Sequence, residues 1–480
     1  MKVLYLSAEV EPFAKVGGLA DVAGSLPREL VNQGLDVRVA MPAYHMVLDQ
    51  WESDIVPLST GFDVNLNRNK SVPATVYSLE HRATSHWLVD IGTAFSRVTC
   101  SEEVYSPQRD DYLAFVQATI AACRQVGWIP DVVHANDWHM AFAPVFVREK
   151  TDWCHSACVY SIHNMAYQGQ FGRDTIEEAG LPESTFSWDK LETWGGVNFL
   201  KSGCAYADHV NTVSPTYAQE IQSEDYGCGL WGLMRHLADE GRLHGILNGI
   251  DTESHDPQLD PRISAHFGPA SMEGKSECKA ALCRELGLEK GRPLLGVVSR
   301  LSEQKGFDLI LPCVARIIEA GASLVVLAIG DPTMAVQFKE LAAQNPNRIA
   351  FCERYDADLA QRVYAGIDIF LMPSKFEPCG LGQMFALRYG SVPVVRKTGG
   401  LADSVFDGVN GFVFDEATPD ALWTAIDRAL AVHGGPEWTK LVHAGMTADF
   451  SWSQSAKKYV ELYDQALSGR RILSKQGCTV

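Results

Sequence analysis

Two cations stand five residues apart in the segment S-R-L-S-E-Q-K-G (299–306), which joins a strand-like run to a helical run. An arginine is a planar fork and a lysine is a point charge, so Arg300 and Lys305 could clamp a diphosphate at the carboxyl end of a strand. The alternative is a pair of solvated surface charges. Acidic residues outnumber basic residues by 59 to 41. Cations are therefore scarce in this chain, which slightly favours anion binding.

A carboxylate lies in a second turn between a strand-like run and a helical run, in the segment P-S-K-F-E-P-C-G-L-G-Q (373–383). Glu377 could accept hydrogen bonds from a neutral polyhydroxyl ligand. The N–H groups of Gly380, Leu381 and Gly382 then lie at a predicted helix N-terminus, which suits a phosphate. A capping glutamate near a helix start is the alternative. The turn is more elaborate than a cap requires, so we favour a functional role.

Further polar side chains follow other predicted strands. Asp137 lies at the end of one such strand in H-A-N-D-W-H (134–139), and His163 ends the strand-like run C-V-Y-S-I-H-N. Asn248 closes a strand before a predicted domain join. Tyr355 also follows a strand and could either stack on a base or cover the core. A lone histidine is more often a satisfied structural residue than a catalyst, so histidines alone decide nothing here.

One heptapeptide occurs twice with a single difference, as K-V-G-G-L-A-D (15–21) and K-T-G-G-L-A-D (397–403). Each copy follows a predicted strand and opens a predicted helix. A tight strand-to-helix turn alone favours paired glycines. The functional interpretation is that both loops present backbone N–H groups to an anion at a helix N-terminus. Ligands of open α/β sheets bind at this end of the strands, so the repeat suggests an anionic ligand between two domains.

The elements that must position these residues alternate along the whole chain. Short apolar strand-like runs follow amphipathic helical runs, which predicts parallel sheets covered on both faces. The length of 480 residues exceeds one doubly wound domain. We therefore predict an N-terminal domain over residues 1–247 and a C-terminal domain over 248–451. A C-terminal segment over 452–480 is predicted to begin with a helix that packs back on the first domain.

Composition excludes several classes of protein. Apolar residues make up 46% and charged residues 21%, which is globular usage and not that of a disordered chain or coiled coil. The net charge of −18 argues against nucleic-acid or anionic-membrane binding by bulk charge. No P-loop motif occurs, which disfavours a P-loop enzyme. No G-x-G-x-x-G follows the first strand, which disfavours a dinucleotide-dependent oxidoreductase.

Cysteine usage and the N-terminus predict a cellular location. The 12 cysteines include no C-x-x-C pair, so reduced thiols in a cytosolic protein are expected, and no metal site. The N-terminal apolar run is too short for a signal peptide, and no apolar stretch approaches the roughly 20 residues of a membrane span. The sequence therefore predicts a soluble cytoplasmic protein.

With these motifs identified, the chain resembles the bacterial glycogen synthases, relatives of starch synthases that are retaining glucosyltransferases of GT-B architecture. The similarity runs from Met1 to about Leu467. The motifs that carry it are KVGGLAD (15–21), HANDWH (134–139), HNMAYQG (163–169), NGID (248–251), SRLSEQKG (299–306), FEPCGL (376–381) and KTGGLAD (397–403).

The resemblance implies an α/β fold of two Rossmann-like, doubly wound domains that face a central cleft. It implies transfer of glucose from ADP-glucose to the 4-hydroxyl at the non-reducing end of an α-1,4-glucan such as glycogen. No cofactor or metal is implied, because ADP-glucose is a substrate and the leaving diphosphate is neutralised by protein groups. Nucleic acids and membranes are not expected partners.

Family roles carry over to matching positions. Glu377 matches the carboxylate on the glucosyl group. Asp137 and His163 match residues near the transferred glucose and the acceptor. Arg300 and Lys305 match the pair that neutralises the diphosphate. The remaining matches to donor-site residues are Lys15, Gly18, Asn248, Tyr355, Cys379, Gly380, Leu381 and Gly382.

Three positions depart from the family pattern. Asn136 stands where histidine is usual, Gly382 where threonine is usual, and Ala328 where glycine is usual. Gly382 lacks a hydroxyl that could bond a phosphate, and Ala328 is expected to narrow a loop near the donor. Two alternatives therefore stay open: a related glucosyltransferase that uses UDP-glucose or another acceptor, and a catalytically silent binder of glucan or nucleotide sugar.

Overall fold

A computed structural model describes residues 1–92 and 95–475 of the chain. The chain divides into two compact units. Unit 1 comprises Met1–Val213, Ala218–Gly249 and the C-terminal segment from Trp452, and unit 2 comprises Ser214–Tyr217 and Ile250–Ser451. The predicted tail after residue 475, with Cys478, lies outside the described residues.

Unit 1, in its described residues, contains a nine-stranded sheet and a small three-stranded sheet. In chain order the strands are β1 (Lys2–Leu6), β2 (Asp36–Pro42), β3 (Val56–Asn65), β4 (Ser71–His81), β5 (Thr84–Asp90), β6 (Val132–Asn136), β7 (Ala157–Ile162), β8 (Gln170–Phe171), β9 (Glu192–Thr193), β10 (Gly196–Asn198), β11 (His209–Thr212) and β12 (Leu243–Gly245). The large sheet has the order β12-β11-β7-β6-β1-β2-β5-β4-β3, and the small one β8-β10-β9.

The seven strands from β12 to β5 run parallel, as the sequence predicts. All residues of β6 and β7 are buried, which explains why they appear as unbroken runs with little polar alternation. The expectation of parallel pairing throughout is wrong at one edge, where β3, β4 and β5 form antiparallel hairpins. The strand β3 itself is not predicted, because Pro57, Gly61 and several polar residues interrupt its pattern.

Helices cover this sheet. Those whose residues lie mainly in unit 1 are α1 (Gly18–Asn32), α2 (His45–Gln50), α3 (Arg109–Gln125), α4 (Asp137–Met140), α5 (Phe142–Lys150), α6 (Thr175–Glu178), α7 (Phe199–Tyr206), α8 (Pro215–Glu220, at the change between units) and α9 (Trp231–Asp239). The C-terminal helix of the described chain, Trp452–Lys475, packs against α1 and β7. Its Tyr459 and Tyr463 are fully buried there.

Unit 2 has a six-stranded parallel sheet within the described residues. Its strands are β13 (Leu294–Leu301), β14 (Ser323–Gly330), β15 (Ile349–Cys352), β16 (Ile369–Met372), β17 (Val392–Arg396) and β18 (Phe412–Phe414). The order β15-β14-β13-β16-β17-β18 is that of a doubly wound nucleotide-binding fold. The predicted strands and helices are confirmed here from β13 to the helix after β17, but the helix Pro332–Gln344 between β14 and β15 is not predicted.

The helices of unit 2 are α10 (Glu273–Glu285), α11 (Phe307–Glu319), α12 (Pro332–Gln344), α13 (Ala357–Gly366), α14 (Gly382–Arg388), α15 (Gly399–Ser404), α16 (Pro419–Val432) and α17 (Pro436–Thr447); the C-terminal helix of unit 1 is therefore α18. Local chemistry fixes several helix starts. Asp331, Asp356 and Thr418 each accept a backbone N–H of the first turn, which satisfies donors that the helix itself leaves unpaired.

Ala328 lies inside β14, is 2% exposed, and pairs with Ser299 of β13. The expectation that its methyl group narrows a loop is therefore wrong, because the residue belongs to the core of the sheet. All eleven cysteines in the described part of the chain are free thiols. Each helix described is too short or too polar to cross a membrane.

Candidate active site

In unit 2 the strand order reverses between β13 and β16, and ligands of open α/β sheets bind outside the carboxyl ends of strands at such a point. Arg300 is the second-last residue of β13, and Lys305 ends a short 3₁₀ turn that follows it. Glu377 lies in the loop after β16. The topology therefore brings the two predicted cations and the predicted carboxylate to the same end of two neighbouring strands.

The loops after β13 and β16 are in contact. Gly306 has φ = +75°, and a Cβ atom there would overlap the carbonyl oxygen of Pro373, so only glycine permits this approach. The Lys375 N–H donates to the Gln304 carbonyl at 2.8 Å. This close approach places the 3₁₀ turn, and Lys305 with it, against the Glu377 loop.

Lys305 and Glu377 form an ion pair. The Lys305 Nζ atom lies 2.5 Å from Glu377 Oε2, and the Ser374 hydroxyl donates to the same oxygen at 3.1 Å. Glu377 is 6% exposed. The sequence analysis places Lys305 at the diphosphate and Glu377 at the glucosyl group. In the structure the two side chains are partners of each other.

Arg300 differs from Lys305 in its surroundings. Its side chain is exposed, and among residues 1–92 and 95–475 no carboxylate forms an ion pair with it. Because no ion pair within the described residues holds this guanidinium, it can take an anionic group without first losing such a pair.

The 380–382 turn supplies backbone donors. Gly380 has φ = +71°, a conformation that favours glycine. In the described part of the chain the N–H groups of Gly380, Leu381 and Gly382 donate to no protein acceptor, as expected where a helix begins. Beneath this turn, a Cβ at Gly399 would overlap the Glu377 carbonyl oxygen. The second glycine pair of the repeat therefore supports the turn by close backbone packing.

The departure at Gly382 has a structural explanation. A Cβ atom there would lie 3.2 Å from Phe370 Cζ and 3.3 Å from the Tyr364 hydroxyl. Phe370 and Tyr364 are both buried, so a side chain at 382 requires these neighbours to shift by a few tenths of an ångström. Cys379 is buried in the same loop, whereas Tyr355 is 76% exposed after β15.

Unit 1 has its own reversal of strand order, between β1 and β6. Lys15 lies in the loop between β1 and α1, and its Nζ is 2.7 Å from Asp21 Oδ1 and 3.3 Å from Glu11 Oε2. Gly18 is the first residue of α1. Lys15 is therefore already paired with carboxylates, unlike Arg300.

The backbone cradle of the first glycine loop is occupied by a side chain that the sequence analysis does not single out. Glu9 Oε2 accepts hydrogen bonds from the N–H groups of Val16, at 2.5 Å, and Gly17, at 2.9 Å. The Tyr105 hydroxyl donates to Glu9 Oε1 at 2.7 Å. Burial raises the pKa of Glu9. The carboxylate of Glu9 therefore occupies the anion site that the sequence predicts at these two N–H groups. The sequence feature that could have indicated this is a glutamate between the end of β1 and the glycine loop.

Asp137 and His163 are joined at the ends of β6 and β7. Asp137 has φ = +54°, a sparsely populated conformation for a residue with a Cβ atom. Its Oδ1 accepts the His163 backbone N–H at 2.8 Å. Burial raises the pKa of Asp137 to about 7. Both side chains are half-buried, so they remain open to a ligand.

Asn136 orients the His163 ring. The Asn136 amide nitrogen donates to the Leu6 carbonyl at 2.9 Å, so its oxygen faces His163 Nε2 at 3.0 Å and the Tyr5 hydroxyl at 3.1 Å. An amide oxygen only accepts hydrogen bonds, so Nε2 must carry the proton and Nδ1 keeps a lone pair. Burial lowers the pKa of His163 to about 3, which keeps the ring neutral.

Two further buried polar residues, His134 and Asn248, differ in whether their side chains are hydrogen-bonded. His134 is fully buried between the Tyr463 hydroxyl, at 2.7 Å, and the Ser161 hydroxyl, at 2.6 Å, which fits the structural interpretation of this histidine. The Asn248 side-chain oxygen is buried, and no hydrogen-bond partner for it occurs among the described residues. An unsatisfied buried acceptor is unusual in a native protein, and it is consistent with a ligand contact.

An open pocket of about 570 Å³ lies in unit 1, lined by Trp138, Ala166, Tyr167, Gln168, Gly169, Gln170 and Cys228. It combines aromatic rings with side-chain amides, which suits a polyhydroxyl ligand. Gly169 packs so closely on the Trp138 ring that a Cβ would lie 2.5 Å from it. Metal-binding clusters of three or more His, Cys, Asp or Glu side chains do not occur in the described residues.

Comparisons with known proteins agree with this architecture. A model described as the starch synthase catalytic domain matches residues 2–236, and one described as glycosyl transferases group 1 matches residues 279–435. Sucrose-phosphate synthase from Thermosynechococcus elongatus, at 19% identity, shares the fold with a TM-score of 0.60 over 98% of this chain and 99% of its own. The fold and the two models define a glycosyltransferase enzyme of GT-B architecture.

Closer relatives narrow the family. The glycogen synthases of Syntrophotalea carbinolica and Marinobacter nauticus are each 42% identical to this chain; the alignments cover 97% and 98% of it, and 99% and 98% of those proteins. The catalytic domain of starch synthase IV from Arabidopsis thaliana, bound to ADP and acarbose, superposes with a TM-score of 0.88 at 32% identity, over 97% of this chain and 99% of that one. The chain belongs to the glycogen and starch synthase family.

Proposed function

We propose that this glycogen synthase homologue transfers glucose from ADP-glucose, with retention at the anomeric carbon, to the 4-hydroxyl at the non-reducing end of an α-1,4-glucan. The observation that carries the proposal is the group of Arg300, Lys305 and Glu377 at the switch point of unit 2. The exposed guanidinium forms no ion pair within the described residues, and the ammonium is paired with a buried carboxylate. These groups suit a diphosphate joined to a polyhydroxyl group. The ADP and acarbose held by the Arabidopsis starch synthase support this choice of ligands.

On the donor side, negative charge develops on the nucleoside diphosphate as the glycosidic bond breaks. In the proposal, Arg300, Lys305 and the backbone N–H groups of residues 380–382 stabilise that charge, so no metal ion or other cofactor takes part. Lys15 adds a further cation to the donor once the diphosphate replaces Asp21 or Glu11 as its partner. Tyr355, being exposed, covers the nucleotide base.

Glu377 acts on the glucosyl group by positioning it. Its carboxylate is held by Lys305 and Ser374 at a single oxygen, Oε2, so Oε1 is available to accept a sugar hydroxyl. The glucosyl carbon becomes oxocarbenium-like, and we assign the removal of the acceptor proton to the leaving phosphate, not to a protein nucleophile. Cys379 and Gly382 shape the same loop, and Asn248 supplies an amide to the donor.

On the acceptor side, the neutral His163 ring presents the lone pair of Nδ1 to a sugar hydroxyl. Asp137 holds the His163 backbone in place through Oδ1, and its strained conformation is typical of functional sites. Gly18 and the loop around it lie at the start of α1, near the other strand ends of unit 1. We place the reaction in the cytoplasm, because the cysteines are predicted to be reduced thiols.

Two other functions compete with this proposal. UDP-glucose is the rival donor, because Gly382 lacks the hydroxyl of the threonine that the family resemblance implies at this position. A binder without turnover is the second rival. The argument against it is that binding alone does not require the whole set that the chain carries: Lys15, Asp137, His163, Arg300, Lys305 and Glu377.

The test is ADP release from ADP-glucose, with and without glycogen, and with UDP-glucose as the rival donor. We expect glycogen-dependent release from ADP-glucose and little from UDP-glucose. Lys15→Ala, Arg300→Ala and Glu377→Ala should each lose most activity while staying folded. Lys397→Ala is the matched control, because it occupies the same place in the second heptapeptide and is well exposed.

The outcomes separate the three functions. Faster release from UDP-glucose would reassign the donor. Glycogen binding without release from either donor would favour the silent binder. Full activity in the Glu377→Ala protein would remove the role given to that carboxylate.

A further inference from the structure

The side-chain amide of Asn136 lies in the core of the unit 1 sheet and is bonded at both of its ends. Its nitrogen donates to the Leu6 carbonyl at 2.9 Å, and its oxygen lies 3.1 Å from the Tyr5 hydroxyl and 3.0 Å from His163 Nε2. An amide oxygen only accepts hydrogen bonds, so both of these neighbours donate to it. The Tyr5 hydroxyl and the imidazole of His163 therefore share one acceptor.

The orientation of this amide decides which ring nitrogen of His163 carries the proton. If the amide turned over, its nitrogen would face Nε2, which would then have to accept, and the ring proton would move to Nδ1. Two contacts oppose this rotation. The amide oxygen would face the Leu6 carbonyl, and the buried Tyr5 hydroxyl would lose its acceptor, which is costly away from water.

The Tyr5 side chain is itself held by the core. It is fully buried on β1 and meets the ring of His134, its register partner on β6, edge to face at a centroid distance of 4.7 Å. His134 is bonded at both ring nitrogens, to the hydroxyls of Tyr463 and Ser161. A ring packed against such a fixed neighbour has little freedom to turn. Burial also raises the pKa of Tyr5 well above its ordinary value, so the hydroxyl keeps its proton and remains a donor.

We propose that Tyr5 is a positioning residue of the transfer reaction, which acts through the Asn136 amide to keep the His163 proton on Nε2 and the Nδ1 lone pair free for a sugar hydroxyl. Tyr5 is fully buried, so it does this without touching a ligand. The use of Nδ1 by a sugar rests on the proposed function, whereas the position of the proton does not. Asn136 stands where the family resemblance implies histidine, so the contact with Tyr5 does not follow from that resemblance.

The first measurement locates the proton directly. Nitrogen-15 chemical shifts of the imidazole rings distinguish the two neutral forms in protein labelled at histidine, and the His163 signals are those absent from His163→Gln. The unaltered protein should carry the proton on Nε2. In Tyr5→Phe the form with the proton on Nδ1 should appear and become the larger signal. In Asn136→Leu it should stand almost alone, because a buried Nε2–H would have no acceptor.

The second measurement is turnover with ADP-glucose and glycogen. The kcat should fall in proportion to the fraction of His163 that keeps its proton on Nε2. For Tyr5→Phe we expect a loss of about fivefold, the size of one neutral hydrogen bond. The KM for ADP-glucose should stay within about twofold, because the variant leaves the donor side unaltered.

Tyr160→Phe is the matched control. Tyr160 is also fully buried in this sheet, on β7, and its hydroxyl has no hydrogen-bond partner among the described residues. Its removal should change neither the ring form of His163 nor kcat. A purely structural role of Tyr5 would instead lower the melting temperature of Tyr5→Phe and leave the His163 proton on Nε2.

Three results would overturn the proposal. The first is a proton on Nδ1 of His163 in the unaltered protein. The second is an unchanged ring form in both Tyr5→Phe and Asn136→Leu. The third is a loss of kcat in Tyr5→Phe while the proton stays on Nε2. Absence of turnover in the unaltered protein would contradict the proposed function, but the position of the proton and its change in the variants would still be measured.

Discussion

Removal of Lys305 should destabilise the protein more than removal of its partner Glu377. Lys305→Met leaves a buried carboxylate without its cation, because Glu377 is held inside the loop after β16. Glu377→Gln leaves an ammonium whose side chain is 14% exposed and can turn towards water, while glutamine keeps a hydrogen bond to Ser374. The double variant removes both charges and should recover most of the stability lost in Lys305→Met.

The size of the effect follows from the geometry. Unit charges about 2.5 Å apart attract by roughly 6–7 kcal/mol at an effective dielectric constant of about 20, and desolvation of both groups offsets much of this. Removal of one partner of a buried pair costs about 3–5 kcal/mol. Ser374 still bonds the carboxylate, so we expect about 3 kcal/mol for Lys305→Met and about 1 kcal/mol for Glu377→Gln. For a unit of this size, about 3 kcal/mol lowers the melting temperature by roughly 6–12 °C.

Thermal melts and urea unfolding of the unaltered protein, both single variants and the double variant complete the cycle. The coupling between the two changes should be about 3 kcal/mol, because the double variant is expected to lose only about 1 kcal/mol. Effects that add to within about 0.5 kcal/mol would show that the pair is not coupled and would refute the reasoning. Turnover should be lost in all three variants, because the proposed transition state needs both groups. Activity is then lost equally in the three variants, whereas their losses of stability differ.

Three further predictions concern single positions. Gly382→Thr should lower the free energy of unfolding by about 1–3 kcal/mol without raising turnover, and a smaller residue at Phe370 should relieve the loss; an unchanged melting temperature would contradict the packing argument. Arg300→Ala should raise the KM for ADP-glucose about tenfold or more with no change in melting temperature, since its side chain is exposed and unpaired by protein carboxylates in the described residues; an unchanged KM would remove it from the donor site. Burial raises the pKa of Asp137 from 3.8 to about 7 in the folded state, so the stability that this group contributes falls as the pH rises from about 4 to about 7. Asp137→Asn should therefore raise the melting temperature at pH 8 and leave it unchanged at pH 4. An equal shift of the melting temperature at both pH values would exclude titration of this group as the cause.

Most of the fold can be predicted from the sequence because buried parallel strands and amphipathic helices leave strong local patterns. The strands from β13 to β17 follow the predicted runs of apolar residues to within about two residues at each end, whereas the helix α12 between β14 and β15 is not predicted. The antiparallel edge could not be predicted in the same way. Its strand β3 has no regular alternation, and its register shifts between Pro57, Ser59 and Phe62, so only pairing with β4 defines it.

The site residues are identifiable one by one, but their pairings are not. The ion pair of Lys305 with Glu377 joins residues 72 positions apart, and it depends on the approach of Gly306 to Pro373. The Glu9 carboxylate accepts the backbone N–H groups of the first glycine loop. This contact depends on the path of the backbone between Glu9 and Gly17, which residue spacing alone does not predict. The repeated heptapeptide makes the same point: Asp21 pairs with Lys15, whereas Asp403 binds the backbone and hydroxyl of Thr216.

The position of α18 has a consequence for synthesis on the ribosome. Unit 1 is complete only when this last helix arrives, because His134 and Asn211 in its sheet hydrogen-bond to Tyr463 and Tyr459. About 200 residues, those of unit 2 from Ile250 to Ser451, are translated in between. At roughly 5–20 residues per second, this is a delay of about 10–40 s. During this interval the nascent N-terminal sheet presents uncovered apolar and polar surface that chaperones can recognise, while unit 2 emerges as a continuous stretch of chain.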